Sequence, residues 1–124
     1  QHDMVPMVGG EMTHPGYLAD EHGYLRSDAP PEMYTVAAEH DVTYFIVPGN
    51  RYESLRRYHD LLTELMDQPA FCMPGIGRQG GSISSAFEQL GSAEKYAIVG
   101  SAIYTSDDME AVARDLAREA LQFE

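Results

Sequence analysis

An α/β fold class built on a parallel sheet follows from three features of the sequence: four apolar, strand-like runs, helical periodicities alternating with them, and glycine-rich turns closing the last two runs. Length sets a limit on that reading. The chain has 124 residues, about one domain, whereas a complete eight-stranded α/β barrel needs roughly 200 to 250 residues, so any barrel here is a partial one.

The first run is Met4-Val5-Pro6-Met7-Val8. Pro6 cannot donate to a strand ladder and suits a sheet edge. After a long polar loop, Ser27 or Asp28 starts a turn, Pro30-Pro31 pre-set a helix, and Met33, Val36 and Ala37 form an apolar stripe reaching about His40. The second strand is Thr43 to Val47, closed by Pro48-Gly49-Asn50. A helix from about Tyr52 to Met66 places Leu55, Tyr58, Leu62, Leu65 and Met66 at spacings of three and four, with Asn50 as the expected N-cap. The third strand is Ala70 to Met73, followed by a glycine-rich turn and a short helix with Ser82 as cap and Ile83, Ala86, Phe87 and Leu90 on one face. The fourth strand is Tyr96 to Val99. A last helix runs from about Asp108 to Phe123, with Met109, Val112, Ala113, Leu116, Ala117 and Leu121 expected inward and acidic residues at its positive N-terminal end.

Composition excludes several function classes. The 44% hydrophobic and 23% charged shares are those of an ordinary globular chain, and no stretch approaches the ~20 apolar residues of a membrane span. Gln1-His2-Asp3 lacks a basic start, so no signal peptide is expected. A single cysteine, Cys72, rules out an internal disulfide framework, fits a reducing cytoplasmic setting, and reads as a small core residue rather than a nucleophile. Asp and Glu number 20 against 8 Lys and Arg, for a net charge of −12, and Lys95 is the lone lysine. Such a surface is a poor partner for nucleic acid, which needs clustered cations. It serves solubility; adaptation to high salt is the sharper reading. None of the five histidines shares a metal-ligand spacing with another histidine or with Cys72, so no metal is expected. Asp20, Glu21 and His22 read as a solvated loop.

The chemistry is expected at the C-terminal ends of the strands, where α/β barrels carry their sites. Residues 75–82 and 100–102 form two neighbouring turns whose backbone N–H groups, at Gly77, Gly80 and Gly100 above all, are free of side-chain bulk for an anion to approach. The competing reading is that these glycines serve only chain reversal. Gly75 to Gly80 also matches G-x-G-x-x-G, but the next strand ends Val99-Gly100-Ser101, without the acidic residue a dinucleotide site requires.

Three segments carry a family resemblance: Gly10-Glu11-Met12-Thr13-His14-Pro15-Gly16, Met73-Pro74-Gly75-Ile76-Gly77-Arg78-Gln79-Gly80-Gly81, and Ile98-Val99-Gly100-Ser101-Ala102-Ile103-Tyr104. In this order and at these separations they resemble successive motifs of the archaeal-type orotidine-5′-monophosphate decarboxylases. The resemblance implies that the whole chain, 1–124, is one unit: the C-terminal half of a (β/α)8 barrel, strands five to eight. It implies that Thr13 stands for a serine contacting the pyrimidine ring, that Pro74 lines the base pocket, and that Gln79 reaches from a closing loop toward phosphate. His14, beside Thr13, reads either as a polar wall of that pocket or as a turn residue tied to local backbone.

Two departures shape the functional expectation. Ser101 stands where the family carries a phosphate-gripping arginine, so affinity for phosphate should be lower, with Arg78 as a candidate substitute. The family's decarboxylation also depends on a lysine and aspartate network on the early strands, and Lys95, just before the fourth strand, lies at the wrong end to replace it. The expected function is therefore the base- and phosphate-binding part of a decarboxylase, inactive by itself; the resemblance implies that the intact enzyme converts orotidine monophosphate to uridine monophosphate and carbon dioxide with no cofactor. The alternatives are a non-catalytic nucleotide- or phosphate-binding half-barrel, or a related sugar-phosphate aldolase or isomerase. Expected partners are a pyrimidine nucleotide or phosphate, and either an N-terminal half-barrel or a second copy of the chain, because open sheet edges favour association.

Overall fold

A computed structural model describes residues 3–124; Gln1 and His2, at the start considered for a leader, lie outside the described residues. The elements in order are β1 (Met7–Gly9), a 3₁₀ turn (Ala19–Glu21), α1 (Ala29–Glu39), β2 (Tyr44–Ile46), α2 (Tyr52–Leu65), β3 (Ala70–Met73), α3 (Ile83–Glu88), β4 (Glu94–Ala97), α4 (Ser101–Tyr104) and α5 (Met109–Leu121). The strands form one sheet in the order β1-β2-β3-β4, every pair parallel. Each helix follows its strand and packs beside the next, α1 on α2, α2 on α3 and α3 on α5. A one-directional strand order with right-handed crossovers puts all helices on one face, unlike the doubly wound arrangement, where the order reverses and helices cover both faces. The fold is half of a (β/α)8 barrel.

The two faces of the sheet differ accordingly. Phe45, Val47, Phe71 and Met73 join Tyr34, Leu55, Tyr58, Leu62, Ile83, Phe87 and Leu90 in the core between sheet and helices, with Val8, Ala97 and Val99 packed against it. Side chains alternate along a strand, so Met7, Tyr44, Ile46, Ala70, Cys72, Tyr96 and Ile98 point the other way, to the face that lines the interior of a closed barrel. Met7, Tyr96 and Ile98 remain 44 to 48% exposed there. The rings of Tyr44 and Tyr96, on the strands flanking β3, lie 6.3 Å apart, and Ala70 and Cys72 between them are buried. Cys72, expected in the core, is buried on the opposite face of the sheet, and burial pushes its thiol pKa up, away from the reactive thiolate.

Several sequence expectations shift. The first strand was expected over Met4–Val8 and forms at Met7–Gly9, because pairing begins at Met7 opposite Tyr44 and leaves Pro6 outside the ladder. The fourth was expected from Tyr96 and begins at Glu94, whose polar side chain hides a residue paired with Ala70. In α1 the inward residues are Pro30, Tyr34 and Ala37; Met33 and Val36, expected in the stripe, are 41% and 55% exposed. Tyr34 took the inward place by using its hydroxyl: it accepts from the N–H groups of Gly10 and Glu11 at 3.1 and 3.2 Å and donates to the Ile46 carbonyl at 2.7 Å. Burial pushes its phenol pKa up to about 12. Gly10 is required at this contact, since a Cβ there would meet the Tyr34 ring at 2.9 Å.

Leu55, Tyr58 and Leu62 of α2 are fully buried as expected, whereas Leu65 is exposed at the helix end. Asn50 does not cap α2; Arg51 holds the N-cap position without a side-chain cap bond. Ser82 does cap α3, its hydroxyl accepting from the Ser85 N–H. Helix α5 has no buried residue, and Met109 and Leu121, expected inward, are exposed. It is held by Leu116, Ala120 and Phe123 against the core, by an edge-to-face pair of Phe123 with Phe87 at 5.7 Å, and by Glu119, which accepts from the Ser84 N–H and hydroxyl at 2.8 and 2.6 Å.

Candidate functional site

The C-terminal strand ends bring three loops together. Strand β1 leads into the Glu11–Gly16 loop, β2 into Pro48-Gly49-Asn50-Arg51, and β3 into Pro74 and the glycine turn. The Gly49 N–H donates to the Pro74 carbonyl at 2.8 Å, joining the second and third strand ends. Gly75 has φ of +94°, and a Cβ there would lie 2.9 Å from both Thr13 Cγ2 and Asn50 Oδ1. Thr13, Asn50 and Gly75 thus meet at one point above the sheet. Only a residue without a side chain and with access to positive φ fits the third position.

The glycine turn is internally bonded. Gly77 N–H donates to the Gly81 carbonyl at 2.7 Å, Gly80 N–H to Gly77 at 2.9 Å and Gly81 N–H to Gly75 at 3.1 Å. The N–H groups at the tip, those of Arg78 and Gln79, donate to no carbonyl within the turn, and both side chains are exposed. Gly77 abuts the next strand end, since a Cβ on it would sit 3.0 Å from that of Ala102 in α4. The two turns expected to cooperate are therefore in contact. Between β4 and α5 lies the four-residue helix α4, absent from the sequence reading because one helical turn has no periodicity to detect; it starts at Ser101, half-buried, with Gly100 as N-cap.

The Glu11–Gly16 loop is tied down by charge. Glu11 is buried, its side chain 3% exposed. It accepts from the Ser54 hydroxyl at 2.9 Å, from Arg51 Nη1 at 3.2 Å and from the Tyr58 hydroxyl. Arg51 also donates to Glu21 at 2.5 and 3.1 Å and, through Nη2, to the His14 carbonyl at 2.8 Å. The guanidinium holds the Glu21 carboxyl pKa below its ordinary value, and burial, reinforced by Glu11, drives the Tyr58 phenol pKa well up. Glu21, expected in a solvated loop, is instead half of a structural ion pair. His14 is exposed, packs edge-to-face on Tyr17 at 5.7 Å, and reaches the network only through its backbone. Glu11 and Arg51 went unrecognised because neither falls in an apolar period or a ligand spacing; an arginine beside a helix start and an acid directly after a strand were the available signals.

Lys95 lies in β4 at the far end of the sheet, bonded to the Gly91 and Ala93 carbonyls. It is remote from the site, and desolvation lowers its pKa. Among the described residues no group of three His, Cys, Asp or Glu is disposed to hold a metal ion, and no helix is long and apolar enough to cross a membrane.

Comparison with known proteins gives a consistent result. No protein-family model matches the chain. Orotidine 5'-phosphate decarboxylase from Methanococcus maripaludis strain C6 is 33% identical over 105 residues, covering 84% of this chain and 43% of that protein. The protein of the same description from strain S2 is 32% identical over 109 residues, covering 87% and 45%. Among solved structures, orotidine 5'-monophosphate decarboxylase from Methanocaldococcus jannaschii, complexed with the inhibitor BMP, superposes with a TM-score of 0.75 at 27% identity over 92% of this chain and 48% of that one. The Pyrococcus horikoshii enzyme gives 0.72 at 28% identity over 93% and 50%. The chain is thus homologous to part of the archaeal decarboxylases and spans about half the length of the relatives it matches.

Proposed function

We propose that this chain, a homologue of one portion of the archaeal orotidine 5'-phosphate decarboxylases, supplies the nucleotide- and phosphate-binding side of such an enzyme and has no turnover by itself. The observation that carries the reading is the meeting of Thr13, Gly75 and the Gln79 loop at one end of the sheet. In this reading Thr13 and Pro74 contact the base, with His14 at the rim, while Arg78, Gln79 and the backbone of 75–82 and 100–102 take the phosphate. Ser101 cannot supply the bidentate charged contact of an arginine, so the grip is weak and relies on Arg78. Lys95, distant from the site, offers no proton donor to a reacting carbon.

The partner is a second four-stranded half. Support comes from the open apolar interior face, Met7, Tyr44, Ile46, Tyr96 and Ile98, and from the relatives' double length. An N-terminal half-barrel would complete the decarboxylase; a second copy would complete a binding barrel. The departures at Ser101 and Lys95 favour, as the second reading, a non-catalytic nucleotide-binding module.

Calorimetric titration with uridine 5′-monophosphate, ribose 5-phosphate and phosphate tests this. Preference for the uridine nucleotide is expected; equal binding of all three would replace the reading with a generic anion module. Orotidine monophosphate should be turned over only after an N-terminal half is added, and turnover by the 124-residue chain alone would overturn the assignment.

A further inference from the structure

Asn50 and Arg51, adjacent in sequence at the end of β2, hold the two loops of the site from between them. The Asn50 Nδ2 group donates to the Thr13 carbonyl at 3.0 Å and to the Gln79 carbonyl at 3.2 Å. Those two acceptors define the amide's orientation, because the flipped amide would set its oxygen against two carbonyl oxygens. Arg51 takes the rest of the first loop: it spans Glu11 at the root, the His14 carbonyl in the middle and Glu21 beyond. The root is fixed again by the Tyr34 hydroxyl.

We infer that Asn50 and Arg51 form a clasp that sets the register of the Thr13 loop against the Gln79 loop, which makes them positioning residues for the ligand site. The inference rests on the functional reading above for the ligand, though not for the clasp itself. Both loops are gripped largely by backbone carbonyls, which leaves the side chains of Thr13 and Gln79 available to a ligand. Arg51 is only 18% exposed and its partner Glu11 3%, so this anchor works in a poorly solvated place where charge-assisted bonds are strong. Asn50 has a further mark of a fitted residue. Its Oδ1 is buried with no hydrogen-bond partner among the described residues, beside Gly75 and Thr13. An orphan acceptor disfavours the fold unless the other half of the amide is needed.

The test uses Asn50→Ala, which removes the orphan oxygen together with the two donors and so should fold. Affinity for uridine 5′-monophosphate should fall on the order of ten-fold, the weight of two neutral hydrogen bonds. Gln79→Ala keeps the clasped carbonyl, so its own loss of affinity should nearly vanish in the Asn50→Ala background; independent, multiplying losses would overturn the proposal. Hydrogen exchange supplies the second arm. In Asn50→Ala, segments 12–16 and 77–81 should exchange faster together while β3 keeps its protection, and in Glu21→Gln only the first loop should loosen. Unchanged exchange in either loop of Asn50→Ala would sink the clasp. If the unmodified chain binds no uridine nucleotide, the functional reading fails, and the exchange result still decides the clasp.

Discussion

Helices α2 and α5 are both amphipathic and each is the long helix that comes after a strand, α5 by way of the short α4, yet they end in opposite circumstances. Helix α2 presses Leu55, Tyr58 and Leu62 into the core with no exposure, opposite a strand, β3, buried along its whole length. Helix α5 buries no residue, beside a strand whose side chains are half open, and the two line a groove of about 660 Å³ with Phe87, Tyr96 and Leu116. The difference lies in the number of neighbours. A βα unit in the middle of a parallel sheet is covered on both sides, whereas the terminal unit of a half-barrel has one side only.

Large-to-small substitutions sharpen that contrast. Leu62→Ala should cost about 3 to 4 kcal/mol in urea unfolding, since a fully buried leucine leaves a cavity, while Leu116→Ala should cost about 1 kcal/mol because the site is already open to water. Equal costs would show that α5 is packed as tightly as α2. Adding a complementary half should raise the Leu116 cost and leave that of Leu62 unchanged.

The charged groups divide the same way. Arg51→Ala leaves Glu11 buried without its cation and should cost about 3 kcal/mol, whereas Arg114→Ala, at an exposed pair with Glu110 on α5, should cost under about 0.5 kcal/mol. The pH dependence follows from Glu21. Its pKa is lowered in the folded chain by Arg51, so its contribution is complete above the unfolded carboxyl value of about 4.3 and is lost as pH falls through the lower folded value. An acid titration of unfolding free energy in Arg51→Ala should lack this limb.

Salt has the smallest expected effect. At 1 M sodium chloride the screening length shrinks to about 3 Å, which relieves repulsion among exposed carboxylates but reaches buried pairs much less. With a net charge of −12, thermal stability should rise with salt in the native chain and equally in Arg51→Ala. A salt-insensitive melt would remove the case for high-salt adaptation.

Much of the architecture was legible because it is written in local periods. Leu55, Tyr58 and Leu62 mark α2 by spacing alone, Ala70 to Met73 mark β3, and Ser82 marks the start of α3. Legibility failed where a polar atom decided burial. Tyr34 displaced Met33 and Val36 from the inward face because its hydroxyl could satisfy three backbone groups at once. Asn50 read as a helix cap because capping is what an asparagine before a helix usually does; a loop 37 residues away claimed its amide instead.

The sequence alone determined the α/β class, the alternation of strands and helices, and the glycine turns at the strand ends, because each depends on residues within one helical turn or one strand. Only the tertiary structure decided which face of the sheet stays open, and that Glu11, Glu21, Asn50 and Arg51 bind the site's loops together. Those partners stand 29 to 40 residues apart, and what joins them is amide and charge-assisted hydrogen bonding between groups that the fold brings to one place, which no local pattern encodes.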